Sequence, residues 1–160
     1  MTTVYLALGS NVGESRVNIT QAIQLLGASI QQIKQAPLYI SKAVGYTDQP
    51  DFLNTAISGR TNLDPEALLE FIKITERQVG RTASFHWGPR EIDIDIILYG
   101  DQVLETDKLT IPHPRFRDRD FVLKPLNDLD PALIDPVSRQ TTGQLLAKVD
   151  SSHQSIIKRI

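Results

Sequence analysis

The chain is expected to adopt an α+β, ferredoxin-like fold in the order β-α-β-β-α-β, with helices packed on a mainly antiparallel sheet and a C-terminal extension. Three observations lead there. Ile92, Ile94 and Ile96 alternate with Glu91, Asp93 and Asp95, as a half-buried strand requires. Ile19, Ala22, Ile23 and Leu26 recur at helical spacing ahead of Gly27, and a second helix opens on Asp64-Pro65 and closes on Gly80. Between and around these helices lie apolar stretches bounded by turn residues.

Taken in order, Thr3 to Gly9 reads as the first strand, and Gly9-Ser10-Asn11 as the turn that ends it. The first helix follows, then a strand over about 30–40, a loop over 41–51 and a strand from Phe52 to about Arg60. Asp64 is a good N-cap, and Leu68, Leu69, Ile72 and Val79 mark the buried side of the second helix. A loop over 81–89 leads into the strand carrying Asp93 and Asp95. Beyond Val103 the pattern predicts a hairpin-like extension, a proline-rich loop and a short helix near Gly143 to Val149. With helices on one face, the other face of the sheet is expected to stay available to ligands.

At 160 residues the chain reads as a single domain, 1–160, able to bury about 70% of its unfolded surface. It has no cysteine, which excludes disulfide scaffolds, thiolate metal sites and a cysteine nucleophile, and suits a reducing cytoplasm. No basic n-region precedes an apolar run at the start, and no stretch approaches a membrane span. A net charge of −2 argues against a general nucleic-acid surface. The basic residues are nevertheless clustered. Arg115, Arg117 and Arg119 fall close together, with Lys108 and His113 before them and Arg81 and Arg90 in the other motif region, a distribution suited to polyphosphate. Internal pairing with Asp118 and Asp120 is the competing reading.

The segment from His86 to Ile97 joins a Trp-Gly-Pro-Arg turn to the acidic strand. Asp93 and Asp95 point the same way, with Cα atoms roughly 6.5 Å apart, so they can ligate one hard cation or a pair about 3.5–4 Å apart. Oxygen ligands favour Mg²⁺, which shares its shell with water and substrate phosphates. A bare Asp-x-Asp also arises on any solvated strand face. Here, however, three acids on one face of a short strand repel one another unless positive charge lies among them. Phe52 and Asn54 likewise share a face, where an aromatic wall and an amide can read a flat heterocycle, although core packing explains a lone Phe equally well. His113 lies between Pro112 and Pro114, which restrain its backbone.

The run Trp87-Gly88-Pro89-Arg90-Glu91-Ile92-Asp93-Ile94-Asp95-Ile96-Ile97 resembles the signature of the 6-hydroxymethyl-7,8-dihydropterin pyrophosphokinases of folate biosynthesis. Ala7 to Asn11, Asp48 to Asn54, Ile111 to Arg115, and Arg119, Phe121 to Leu123 and Pro125-Leu126 are similar to that family in the same order. The resemblance implies transfer of the β,γ-pyrophosphoryl group of ATP to the hydroxymethyl pterin, with Asp93 and Asp95 on two Mg²⁺ ions. It implies that Glu76, Arg81, Trp87, Arg90, Ile96, Lys108, Thr110, His113 and Arg119 hold or flank ATP. Arg90, His113 and Arg119 would balance charge on the transferred group. Ser41, Val44, Phe52, Asn54 and Phe121 would form the pterin site, and Asn11 would lie just behind it. ATP and the pterin are then small-molecule partners, with no obligate protein partner evident.

The chain departs from relatives at two points. Lys42 and Ala43 stand where prolines are frequent, so the 41–51 loop should be looser and a proline restored at 42 should tighten binding. Thr82-Ala83-Ser84 lacks a second basic residue after Arg81. The 81–90 loop is expected to close over ATP and carry Trp87 with it. Two other functions remain open from the residues themselves: another Mg²⁺-dependent Asp-x-Asp nucleotidyl- or glycosyltransferase, and a non-catalytic ferredoxin-like ligand-binding module.

Overall fold

The computed structural model describes residues 1–82 and 84–160; Ala83, and with it part of the Thr82-Ala83-Ser84 departure, lies outside the described residues. The expected order is present. Strand β1 (Thr2–Ser10) leads through helix α1 (Ser15–Leu26) to β2 (Gln31–Gln35) and β3 (Tyr39–Ser41), and β4 (Phe52–Thr61) leads through α2 (Pro65–Val79) to β5 (Asp93–Tyr99). The strand expected over 30–40 is broken in two. Pro37 has no N–H to donate to the ladder, and around it Ala36 keeps the edge in place by donating its own N–H to the Ala56 carbonyl at 2.9 Å.

The sheet order is β5-β1-β4-β3-β8, where β8 is Ile156–Arg159 and β2 also pairs with β4. Its pairings are antiparallel. Helix α2 is set by its ends: the Asp64 side chain accepts the Ala67 N–H at 2.8 Å, Pro65 opens the first turn, and Gly80 closes the last at φ 114°. One core fills the space between the sheet and α1/α2, with Leu6, Ile19, Leu26, Ile57, Leu68, Ile72, Ile92 and Ile96 among its members.

The expectation that the opposite face stays open is only partly met. Helix α3 (Asp120–Leu129), absent from the sequence reading, and the predicted short helix, α4 (Thr142–Ala147), cover much of it. Phe116, Val122, Leu123, Leu126 and Leu145 pack there against Ala7, Ala56, Ile97 and Leu98. Pro125 and the charges before it obscured this helix in the sequence. A proline at its sixth residue removes one hydrogen bond, a cost of about 3 kcal/mol that the buried stripe offsets. The predicted hairpin is β6 (Leu104–Glu105) with β7 (Thr110–Ile111). What stays uncovered is the end of the face where β1 finishes and β4 and β5 begin.

Arg117, grouped above with phosphate-binding residues, does other work. It pairs with the fully buried Asp135 carboxylate at 2.5 and 3.1 Å, which also accepts from Ser138 Oγ at 2.6 Å and the Val137 N–H at 3.0 Å. Burial alone would raise the Asp135 pKa, but Arg117, Ser138 and Val137 outweigh it and pull it down to about 2. Because the folded value lies below the unfolded one, this stability is present above about pH 4 and is lost as pH falls toward 2. Asp135→Asn should therefore cost about 2 kcal/mol at pH 7 and much less at pH 2.5. Urea unfolding at the two pH values tests this, and an equal loss at both would rule out the charged pairing as its source.

Candidate active site

A cleft of about 580 Å³ occupies the uncovered end of the sheet. One side begins with β4, whose first residues place Phe52 and the buried Asn54 toward it. Asn54 Nδ2 donates to Ser41 Oγ at 2.5 Å, an arrangement set by the β3–β4 register that opposes Ser41 to Phe52. Across the other ladder Asn54 faces Gly9. A Cβ on Gly9 would come within 3.0 Å of Asn54 Oδ1, so Gly9 is a close-approach glycine in the floor of the cleft as well as the lead into a turn. Phe121 enters from the first turn of α3, with the Arg119 guanidinium 5.6 Å from its ring centre, and Val44 borders the space from the 41–51 loop.

The acidic side is β5. Asp93 and Asp95 lie opposite Gly9 and Ala7 of β1 and line the cleft together. Burial, and then the Asp95 charge, lift the Asp93 carboxyl to about 6 against the pull of Arg81, Arg90 and Arg119. Burial also raises Asp95, against Arg119. Arg81 Nη1 bridges Asp93 at 3.2 Å and Glu76 at 2.6 Å. Glu76 does not line the cleft: its Oε2 accepts the Ile94 N–H at 2.9 Å, so it ties α2 to β5 and aims Arg81. No third acid, histidine or cysteine joins Asp93 and Asp95 among the described residues. Two crowded carboxylates whose charge burial disfavours suit a hard divalent ion that completes its shell with water and phosphate oxygens.

His113 is held by a bulge in β5, where Tyr5 pairs with Leu98 and Leu6 with Ile96, leaving Ile97 unmatched. The Ile97 carbonyl accepts the His113 N–H at 3.0 Å. Burial, then the nearby Arg119, pushes the His113 pKa down to about 4, so the ring is neutral at pH 7. Its Nδ1 accepts the Arg115 N–H at 3.1 Å, which makes Nε2 the N–H donor. His113 therefore offers a neutral hydrogen bond to the cleft, in place of the charge expected of it.

Arg90 also differs from expectation. Although it borders the cleft, its guanidinium donates to the carbonyls of Phe85, Gly88 and Pro89 at 3.0–3.2 Å and organises its own loop. Its backbone N–H donates to Asn11 Oδ1 at 2.9 Å, and Asn11 Nδ2 reaches Gln49 Oε1 and the Pro50 carbonyl, each at 2.9 Å. Gln49 in turn donates to the Trp87 carbonyl at 2.8 Å. Trp87 is 39% exposed, rests on Gly45 and lies 4.8 Å beneath the Arg115 guanidinium. The 41–51 and 81–90 loops thus already touch. A Cβ on Gly45, whose φ is 83°, would fall 2.2 Å from Trp87. Gly45→Ala should unseat Trp87 and add roughly 1–2 kcal/mol of backbone strain. Tryptophan emission and quencher access report the change directly, and unchanged values for both would show that this packing is absent in solution.

Besides Glu76, three expected nucleotide residues are not brought to the cleft. Ile96 is turned into the core under the helices, Lys108 is exposed in the β6–β7 turn, and Thr110 pairs with Glu105 in that hairpin. Their side chains are separated from it because β5 alternates faces and the hairpin extends outward. Arg115, of the basic cluster suited to polyphosphate, does line the cleft; His86 and Lys42 also line it and Gln49 joins its loops, and these three were not among the expected site residues. They belong to irregular segments where no periodicity marks them. The Lys42 N–H donates to the Ser155 carbonyl at 2.9 Å, so a proline there would delete a bond, and the expected gain from Lys42→Pro is withdrawn.

The family model of 7,8-dihydro-6-hydroxymethylpterin-pyrophosphokinase (HPPK) matches residues 5–131. A 2-amino-4-hydroxy-6-hydroxymethyldihydropteridine pyrophosphokinase of Aquifex aeolicus is 46% identical over 140 residues, 88% of each chain. The Bacillus subtilis protein of the same name is 42% identical over 127 residues, 78% of this chain and 76% of the relative. Among solved structures, a Plasmodium falciparum HPPK-DHPS chain superposes with a TM-score of 0.72 at 17% identity, over 92% of this chain and 43% of that one. The last likeness speaks for the fold alone, and the chain spans less than half of that longer protein. The matches run through β1, the 41–51 loop, β5 and the His113 segment, and the chain belongs to the 7,8-dihydro-6-hydroxymethylpterin-pyrophosphokinase family.

Proposed function

We propose that the cleft transfers the β,γ-pyrophosphoryl group of ATP to the hydroxymethyl oxygen of 6-hydroxymethyl-7,8-dihydropterin, in folate biosynthesis. The hydroxyl oxygen bonds to the β-phosphorus, the bond from that phosphorus to the α-phosphate bridging oxygen breaks, AMP departs with the electron pair, and the hydroxyl proton passes to solvent. The observation that carries this reading is the convergence, in one cleft, of the Asp93/Asp95 pair with the Phe52, Asn54 and Phe121 surfaces. Metal and phosphate chemistry explains the first set, and a flat, hydrogen-bonding heterocycle explains the second.

Phe52 and Phe121 would stack on the two faces of the pterin. Asn54, whose Nδ2 is engaged by Ser41, would present Oδ1 to an N–H on the ring edge. Asp93 and Asp95 would hold Mg²⁺, two ions in this reading, which when bound neutralises phosphate charge and acidifies the attacking hydroxyl. Arg81 would exchange its Asp93 contact for phosphate, Arg119 would supply fixed charge, and His113 Nε2–H would donate to a phosphoryl oxygen. His113 would not serve as the base, since its Nδ1 already accepts the Arg115 N–H. Catalysis then rests on positioning and charge neutralisation. Residues 1–160 would then act as one cytoplasmic domain on two small molecules, without an obligate protein partner.

Incubation with ATP, Mg²⁺ and the hydroxymethyl dihydropterin should release AMP in step with pterin pyrophosphate. Release of inorganic pyrophosphate or a nucleoside diphosphate would favour another Asp-x-Asp transferase. Pterin binding with no turnover would favour a binding module.

A further inference from the structure

We infer that Asp120 and Ser155 form a clasp that sets the width of the pterin slot from behind, acting as positioning residues that do not touch substrate. The inference rests on the proposed function, because that reading defines the slot. Asp120 is 5% exposed and stands between Arg119 and Phe121 at the start of α3. Its Oδ2 accepts the Ser155 and Ile156 N–H groups at 2.7 and 3.0 Å, and its Oδ1 accepts the Ser155 hydroxyl at 2.5 Å. The Ser155 carbonyl accepts the Lys42 N–H at 2.9 Å, and Ile156 of β8 lies opposite Ser41 of β3. Ser41 in turn lies opposite Phe52 and bonds Asn54. A continuous hydrogen-bonded path thus runs behind the cleft from Phe121, through the C-terminal segment, to Phe52 and Asn54.

Two features separate this clasp from ordinary packing. The Asp120 carboxylate makes no bond to its own helix terminus and has no cationic partner among the described residues, so it is neither a cap nor half of an ion pair. Its charge is met by three donors from one remote segment. Apolar side chains would hold a C-terminal strand with less desolvation, but three directional bonds to one carboxylate fix the separation of two elements within tenths of an ångström. One of the elements so fixed carries Phe121, and the other reaches Phe52 through β3.

Steady-state kinetics on the full chain tests the clasp. Asp120→Ala should raise the pterin KM about tenfold, the scale for a small displacement of a binding group, with kcat at saturation and ATP-analogue affinity within about twofold of the parent. Ser155→Ala keeps both backbone bonds, so it should fold normally and shift KM in the same direction by a smaller factor. Asp120→Asn, which retains an acceptor for the two N–H groups, should restore most of the parent KM. Asp64→Ala, which removes the cap of α2 on the other side of the sheet, should leave the pterin KM unchanged. Pterin KM values equal to the parent in both Asp120→Ala and Ser155→Ala overturn the clasp, as does an equal KM increase in Asp64→Ala. An inactive parent chain would instead count against the reaction itself.

Discussion

Asp95→Ala and Asp93→Ala should each lower turnover by about 10³-fold, the kinetic equivalent of losing several kcal/mol of metal-borne transition-state stabilisation. Both variants should still fold, because each removes one of two carboxylates that burial and mutual repulsion disfavour. The same physics predicts a gain in stability for Asp93→Asn. The Asp93 carboxyl ionises near 6 in the fold and near 3.8 when unfolded, so its charge opposes folding increasingly as pH rises through that window. Without added metal, Asp93→Asn should melt higher than the parent at pH 8 and close to it at pH 3.5. Retained turnover at saturating Mg²⁺ in either alanine variant would remove these residues from the metal site. A melting difference that does not depend on pH would remove the electrostatic explanation.

Phe52→Ala and Phe121→Ala should weaken pterin binding by about 1–3 kcal/mol each, the range for loss of one aromatic face from a flat base. Their effects should combine unevenly, since the two rings serve one ligand and a heterocycle freed on one side can shift against the other. ATP-analogue affinity should stay close to the parent value in Phe52→Ala and fall only slightly in Phe121→Ala, whose ring lies against the Arg119 guanidinium at 5.6 Å. Both side chains are only partly buried, so truncation leaves no sealed core cavity and a folded protein is expected. Titration calorimetry decides the matter. Unchanged pterin affinity in both variants would return the rings to a packing role.

The ferredoxin-like order, both long helices, the caps of α2 and the common orientation of Asp93 and Asp95 are legible in the residues alone. Those features depend on neighbours within a few residues: a two-residue period, a 3.6-residue period, Pro at a helix start and Gly at its end. The family signature, which spans most of the chain, added the identity of the reaction and named the residues to look for. Tertiary structure decided the rest. Only folding could show that α3 packs on the second sheet face, since its apolar stripe runs through Pro125 and finds support in Ala7, Ala56 and Leu98 far away in sequence. Only folding could give Arg117 to Asp135, bend Arg90 back onto its own loop and make His113 a neutral donor. A side chain's charge type is written in the sequence, but its partner and its solvation are set by residues that come near only when the chain folds.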